Sequence, residues 1–391
     1  MTVAASTTAP SLDDLDRLDD EAFRAVVREW IAANYPEPIR NPPKRLHWHE
    51  NKPWFMALAA QGWLAPGWPR RYGGMGLSPG RQLIMVEEQE RYGCARISDF
   101  GIIMLGPLLI HFGSEDQRQR FLPPILTGEH IWAQGYSEPN AGSDLASLRC
   151  EAVIDGDDYI VNGQKTWTTL GMDANWMFML VRTNKEVRKQ EGISFLLVPM
   201  DSPGITVRPI INLDLHDEFC EVFFDSVRVP RANLVGQPDK GWSMAKSLLG
   251  FERIFLGSPK QSEYALSRLR NMADVLGLWA DPVFQDRYTR VDLDLADLKC
   301  LFGTFAGRLR RGETLGPDVS MLKVIQTELF QKITDLMLEV AGGHAALLDP
   351  VGGPGGLNPA SLSIQSRPSS IYGGSNEIQR DILAKTVLDL P

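Results

Sequence analysis

The stretch Tyr136-Ser-Glu-Pro-Asn-Ala-Gly-Ser-Asp144 divides this 391-residue chain into two kinds of sequence. Before it, apolar residues recur at helical spacing; after it come short β-rich runs punctuated by Gly, Pro, Asn and Asp. The segment itself offers hydroxyls and free backbone N–H groups, and Gly142 permits close backbone approach. Taken alone, it reads as a linker with turn chemistry as readily as a ligand-facing loop.

Upstream, Leu15, Leu18, Phe23, Val26, Val27, Trp30 and Ile31 predict a helix over Leu12–Ala33, ended by the Pro-rich Tyr35–Pro43. Further helices are expected over Pro53–Gln61, Ser78–Arg91 and Phe100–Phe112, and from the N-cap Ser114-Glu-Asp-Gln117 to Gly128, with Pro66–Leu77 as a loop. Downstream, Cys150–Ile154 and Tyr159–Val161 flank the hairpin signal Asp155-Gly-Asp-Asp158. Trp176–Arg182, Ile193–Met200, Ile205–Pro209 and Cys220–Val229 read as further strands. From Gly241 helical periods return over Trp242–Leu256, Tyr264–Trp279, Pro282–Arg311 and Pro317–Ala341. A Gly/Pro-rich loop, Gly342–Pro359, follows, and a last helix from Ser375. The expected class is α+β, mainly α. Its parts are an N-terminal helical domain over 1–130, a middle antiparallel β-barrel or sandwich over 131–238 and a C-terminal helix bundle over 239–391.

Forty Lys and Arg against 49 Asp and Glu leave a net charge of −9, which argues against the broad basic face that nucleic-acid binding needs. No apolar run reaches the roughly 20 residues of a membrane span, and the N-terminus lacks a secretory pattern. Cys94, Cys150, Cys220 and Cys300 are too scattered for a disulfide framework or a CxxC metal site. A cytoplasmic, soluble protein is expected, with no nucleic-acid partner and no membrane insertion.

Two more segments carry chemistry. In Gly163-Gln-Lys-Thr-Trp-Thr-Thr169, a Trp beside hydroxyls suits a flat ring with edge heteroatoms, although a Trp in a barrel core satisfies the same pattern. In Ile371-Tyr-Gly-Gly-Ser-Asn-Glu-Ile-Gln-Arg380, a Gly-Gly turn at a helix start gathers N–H groups that suit a phosphate or a carbonyl; a simple capped helix is the plainer alternative. In this order, with Gly67-Trp-Pro-Arg-Arg-Tyr-Gly-Gly-Met-Gly76, Gly113-Ser-Glu-Asp-Gln117 and Phe224-Asp-Ser-Val-Arg-Val-Pro230, the three segments resemble the acyl-CoA dehydrogenase family over nearly the whole chain.

That resemblance implies a C-terminal four-helix bundle, FAD as cofactor and an acyl-CoA thioester as substrate. It sets Gln134, Tyr136, Ser137, Gly142, Ser143, Trp167 and Thr169 along the flavin, with Ser143 also near the substrate. Glu339, Gly342, Gly343, Ser375 and Glu377 match positions toward the cofactor's diphosphate and adenosine end, usually across a subunit interface. Arg253 and Tyr372 match substrate-side positions. The implied reaction removes an alpha proton from the thioester while FAD accepts hydride from the beta carbon, giving a trans-2-enoyl-CoA. Reoxidation by electron-transfer flavoprotein is implied too.

The chain departs from the common pattern. Where most members carry the catalytic Glu, it has Gly373. Glu252, in Leu248-Leu-Gly-Phe-Glu-Arg-Ile-Phe255, shares a helix face with Ala245, Leu248, Leu249 and Leu256; on an apolar stripe its pKa is expected to rise toward that of a general base, and a structural ion pair with a neighbouring Arg is the plainer alternative. The resemblance includes a subgroup whose base sits on this helix, while Gly373 keeps a backbone N–H for the thioester carbonyl. The usual Arg-x-x-Phe-Gly motif is replaced by Gly277-Leu-Trp-Ala-Asp-Pro-Val-Phe284, and Glu339 stands where Gln is usual. These changes resemble subunits of heteromeric members acting on steroid side chains or dicarboxylyl (pimeloyl-type) thioesters. A homo-oligomer and a heterotetramer with a second acyl-CoA dehydrogenase subunit are both open. Competing functions are an acyl-CoA oxidase on the same fold and a non-catalytic, partner-dependent subunit. His47-Trp-His49-Glu50 lacks a third ligand in sequence, so no metal is expected, and Asp214-Leu-His-Asp-Glu218 reads as a solvated loop.

Overall fold

Ser11 and Asp19 each accept a hydrogen bond from the N–H three residues on, so the first helical period becomes two helices, α1 (Leu12–Arg17) and α2 (Asp20–Asn34). The computed structural model describes residues 11–347, 350–351 and 356–390, the side chains of 247–253 and 255 excepted. Helix α2 buries Phe23, Val27 and Ile31, one residue per turn. Helix α3 (Trp48–Gln61) starts earlier than its apolar pattern because carboxylates take its first N–H groups, Glu50 accepting from His47 N and Asp173 from Trp48 N, each at 2.8 Å. Helix α4 (Pro79–Tyr92) is tied to α2 through Glu88, 1% exposed, which meets Arg24 at 3.0 Å, Arg28 at 2.9 Å and Arg91 at 2.7 Å. Burial pushes the Glu88 pKa up, but the three guanidinium groups prevail and hold it at about 2.

The Phe100–Phe112 run is a π-helical segment, Phe100–Leu105, followed by α5 (Gly106–Phe112). The Trp68 indole lies so close to Gly106 that a Cβ there would fall 1.8 Å from its Cζ2, and its Nε1 donates to the Ile102 carbonyl at 2.8 Å. Helix α6 (Glu115–Thr127) opens on the Ser114–Gln117 capping box and stops at Gly128, φ 72°.

The strands are β1 (Trp132–Gly135), β2 (Glu151–Asp155), β3 (Asp158–Thr169), β4 (Trp176–Arg182), β5 (Ile193–Pro199), β6 (Ile205–Ile210), β7 (Phe219–Pro230) and β8 (Leu234–Val235). They form one sheet in the order β6-β7-β3-β2-β4-β5-β8, with β1 beside β4. Pairing is antiparallel except where β1 and β2 meet β4. Alternate residues Val161, Met177, Met179, Leu196, Val198, Val222 and Phe224 fill one core. Strands β4 and β5 are apolar on their other face as well, where Phe178 and Phe195 stack 5.7 Å apart. That double burial explains their unbroken hydrophobic runs.

Next come α7 (Gly241–Leu256), α8 (Lys260–Leu276), α9 (Pro282–Arg310), α10 (Ser320–Ala341), α11 (Pro359–Ser366) and α12 (Asn376–Thr386). Helix α10 buries residues around most of its circumference, including Leu322, Leu329, Ile333 and Met337, but also Lys323 and Thr327. The described chain divides into two compact units. One comprises residues up to Asn212 with His216–Lys246, the other Leu213–Leu215 with the residues from Ser247 on. Among the described residues, no helix is long and apolar enough to cross a membrane.

Candidate functional site

In the first unit the fold zips together two of the segments singled out in the sequence. Glu138 and Ala141 exchange backbone hydrogen bonds at 3.0 Å, turning the chain back on itself. The Glu138 carboxylate, 9% exposed as a residue, accepts from Arg149 N at 2.6 Å, Cys150 N at 2.9 Å and the fully buried Lys165 Nζ at 2.8 Å. Lys165 also donates to the Tyr136 carbonyl at 3.3 Å, and Thr166 N donates to the Ser137 carbonyl at 3.0 Å. Buried charge persists only when paired and hydrogen-bonded, as here. Glu138 and Lys165 were not singled out in the sequence, although each lies inside a segment that was. The signal available was a Lys at a position that continues the inward-facing alternation of Tyr159 and Val161 along β3.

Beyond that turn, Gly142 and Ser143 are exposed, and a Cβ at Gly142 would meet nothing within 4 Å. Gln134, on β1 opposite Phe178, is half-buried, and the Tyr136 ring sits edge-on to Phe178 at 6.0 Å. Between Lys165 and Thr168 the register of β3 against β7 shifts, and within this bulge Trp167 takes φ 58°. Left-handed backbone costs a bulky residue about 1–2 kcal/mol. The bulge turns the indole outward, where it is 60% exposed with an edge contact to Phe219 at 6.2 Å. Thr168 points inward with its Oγ1 buried and unbonded among the described residues, and Thr169 is half-buried. A large aromatic held in solvent by strained backbone is poor for stability and suited to covering a planar ring.

In the second unit Gly373 and Gly374 both lie at positive φ, 64° and 80°. A Cβ at Gly373 would fall 2.3 Å from Leu256 Cδ1, so that methyl occupies the space in which a side chain would start. The turn is anchored from behind. Lys323 Nζ donates to the Gly374 carbonyl and to Asn376 Oδ1, each at 2.9 Å, and Gln379 Nε2 donates to the Gly373 carbonyl at 3.0 Å. Burial pushes the Lys323 pKa down to about 8. Ser375 caps α12, accepting from Ile378 N, while Tyr372 and Glu377 are exposed. Glu377 has its pKa lowered, first by its own backbone N–H and then by Ser375.

Glu339, Gly342 and Gly343 are not brought to this turn. They sit at the far end of α10, exposed, with Glu339 bonded to Arg287 at 2.5 Å. From Lys323 to Ala341 the helix rises about 27 Å at about 1.5 Å per residue. Gly277–Phe284 forms an aromatic corner in which Trp279 packs on Phe284 at 5.2 Å and donates to Asp274. The side chains of Glu252 and Arg253 lie outside the described residues.

Asp214–Glu218 departs from the solvated loop expected of it. His216 is 2% exposed and its Nε2 bonds the Arg45 carbonyl at 2.9 Å, because the loop folds onto the α3 entry. His47 lies between two carboxylates, Nδ1 3.0 Å from Asp173 and Nε2 3.0 Å from Asp217, with His216 Nδ1 3.4 Å from the same Asp217 oxygen. Carboxylates only accept, so both His47 nitrogens are placed to donate and the protonated ring is favoured. Burial opposes that charge, but the bonds to Asp217 and Asp173 outweigh it and raise the pKa. The partners absent around His47 in sequence come from segments more than a hundred residues away.

With this geometry in hand, comparison with known proteins is specific. The domain families described as acyl-CoA dehydrogenase N-terminal, middle and C-terminal domains match residues 18–129, 133–227 and 239–388. Acyl-CoA dehydrogenase IpdE1 of Mycobacterium tuberculosis is 38% identical over 393 residues, covering 95% of this chain and 98% of that protein. Among solved structures, the Tcur3481-Tcur3483 steroid ACAD superposes with a TM-score of 0.85 at 28% identity, covering 98% of this chain and 100% of that one. The ChsE4-ChsE5 complex from Mycobacterium tuberculosis gives 0.80 at 32% identity, covering 100% of each chain.

Proposed function

The chain belongs to the acyl-CoA dehydrogenase family, and on that footing we propose that it binds FAD and desaturates a bulky acyl-CoA thioester between its alpha and beta carbons. The observation that carries this reading is Gly373. The position where most of the family's bases stand has no side chain, and Leu256 of α7 fills the space. The carboxylate must then come from elsewhere, and Glu252 lies on α7 itself.

The residues fit a flavin. Trp167 offers an exposed indole face, Thr168 a buried hydroxyl that is unbonded among the described residues, Gly142 an uncrowded backbone and Ser143 an exposed hydroxyl. Gln134, Tyr136, Ser137, Trp167 and Thr169 would hold the ring, with Ser375 and Glu377 toward the diphosphate and adenosine end. When bound, FAD supplies the hydride acceptor. Glu252 removes the alpha proton, and the Gly373 N–H donates to the thioester oxygen as negative charge develops there. Ser143, Arg253 and Tyr372 line the thioester side in this reading.

The acyl group is proposed as a steroid side chain or another bulky acyl chain, by analogy with the steroid ACAD. The separation of Gly342 and Gly343 from the Ser375 turn favours a cofactor site shared between two chains, whether copies or a second acyl-CoA dehydrogenase subunit. The electron acceptor is taken to be electron-transfer flavoprotein. Release of peroxide under air after substrate bleaches the flavin would instead make the protein an oxidase.

Glu252→Gln tests the base. The variant should keep FAD and lose flavin reduction by substrate by at least a hundredfold. Reduction at the parental rate would remove Glu252 from the mechanism. A flavin-free complex, with every candidate subunit supplied, would remove the cofactor assignment.

A further inference from the structure

Lys323 is a buried cation that the proposed chemistry does not use. It is 0% exposed in the first turn of α10, a costly place for an ammonium group, and its hydrogen bonds to Gly374 and Asn376 go to the same short segment. The bonds reach the Gly374 carbonyl and the Asn376 side chain; Asn376 is bonded in turn to Thr327, one helical turn further along α10. A lysine needed only for filling would be replaced by Met or Leu without loss of packing.

The geometry of the turn shows what those bonds accomplish. In a trans peptide the C=O and the N–H of one plane point in opposite directions. With the Gly373 carbonyl drawn back to Gln379 and the Gly374 carbonyl drawn back to Lys323, the N–H groups of Gly374 and Ser375 must face the other way. Among the described residues, the N–H groups of Gly373, Gly374 and Ser375 donate to no acceptor. Two successive left-handed glycines make this run of outward N–H groups possible. They also leave it soft, since glycine gives up the most conformational freedom when it is fixed.

We propose that Lys323 is a positioning residue: by holding the Gly374 carbonyl and Asn376, it keeps the Ser375 N–H facing a bound thioester or phosphate oxygen and fixes the two-glycine turn that carries the Gly373 and Gly374 N–H groups. Hydrogen bonding through the peptide plane also strengthens the N–H on its far side. The inference deepens the reading of Gly373 and Ser375 above and rests on it for the identity of the ligand, but the aiming itself belongs to this chain alone.

The test uses Lys323→Met, which keeps the length and removes the donors, Lys323→Gln, which keeps a donor, and Thr327→Val, which loosens Asn376 without touching Gly374. In the unliganded chain, amide hydrogen exchange at Ile378 and Gln379, which are bonded to Ser375, should accelerate about tenfold or more in Lys323→Met. Protection of the α8 and α10 amides should be retained. In the flavin-loaded protein with its subunit complement, acetoacetyl-CoA serves as an enolisable probe. Lys323→Met should weaken its enolate absorption and lower kcat for substrate about tenfold with KM within about twofold. Lys323→Gln should restore part of both, and Thr327→Val should lower thermal stability without moving either.

Unchanged exchange, or an unchanged enolate band and kcat in Lys323→Met, would overturn the positioning role. So would equal losses in Lys323→Met and Thr327→Val, which would make Lys323 purely structural. A wild-type protein that takes up neither flavin nor probe overturns the functional reading instead, and the exchange experiment still decides whether Lys323 orders the turn.

Discussion

Gly373 and Trp167 take the same region of backbone space for opposite reasons. At Gly373 the absence of a Cβ is structurally required, because φ is 64° and Leu256 Cδ1 stands where the Cβ would be. Gly373→Ala should therefore lose about 1–2 kcal/mol of stability in urea unfolding, with little change in helix content. Gly373→Glu should not restore activity to Glu252→Gln, since the new side chain must first displace Leu256. At Trp167 the strain is tolerated, and in the proposed reading it is the exposed indole that serves the flavin. Trp167→Gly should leave unfolding stability unchanged or raise it by up to about 1 kcal/mol, while flavin retention on gel filtration falls. Both residues stand out in sequence by motif, but their φ values do not, because φ is imposed by the pairing of neighbouring strands and by helix ends.

At the scale of elements, buried lysines do similar work in both units. Lys165 binds the Glu138 turn to β3, and Lys323 binds the α12 entry to α10. Removing one partner of a buried pair leaves the other charge uncompensated, so Lys165→Met should destabilise by about 3–5 kcal/mol, read as a shift in the urea midpoint. Adding Glu138→Gln to that variant should recover part of the loss. The clamp of α3 on the β3–β4 turn and the β6–β7 loop is of another kind, because it titrates. The His47 pKa is raised above 6.5 in the folded state, so its contribution is complete below pH 6.5 and is lost as pH rises through the raised value. Wild-type protein should lose stability across that window relative to His47→Gln, measured by thermal unfolding at several pH values. Helix and strand positions were legible because periodicity is local. The Phe100–Leu105 π segment and the division of α1 from α2 were not, since the first depends on packing around Trp68 and the second on a cap.

For the molecule as a whole, the question is how many chains complete a site. Glu339, Gly342 and Gly343 lie at one end of α10 and the Ser375 turn beside the other, so one bundle does not gather them. The chain purified alone should elute colourless or with well under one flavin per chain, and co-expression with a second acyl-CoA dehydrogenase subunit should give a yellow complex of higher mass by light scattering. A stoichiometric yellow homo-oligomer would establish instead that copies of this chain suffice.

The sequence by itself determined the order of helical, β and helical segments and the family, and it singled out three segments as candidates for the chemistry. These follow from residue type and spacing along the chain, which need no knowledge of what folds against what. Only the tertiary structure decided that Glu138 and Lys165 join two of those segments, that Lys323 stands behind the third, that His47 finds its carboxylates in distant loops, and that Leu256 claims the space beside Gly373. Each is a contact between residues far apart in the chain. Its energy comes from burial and from hydrogen bonds that exist only once the elements have packed.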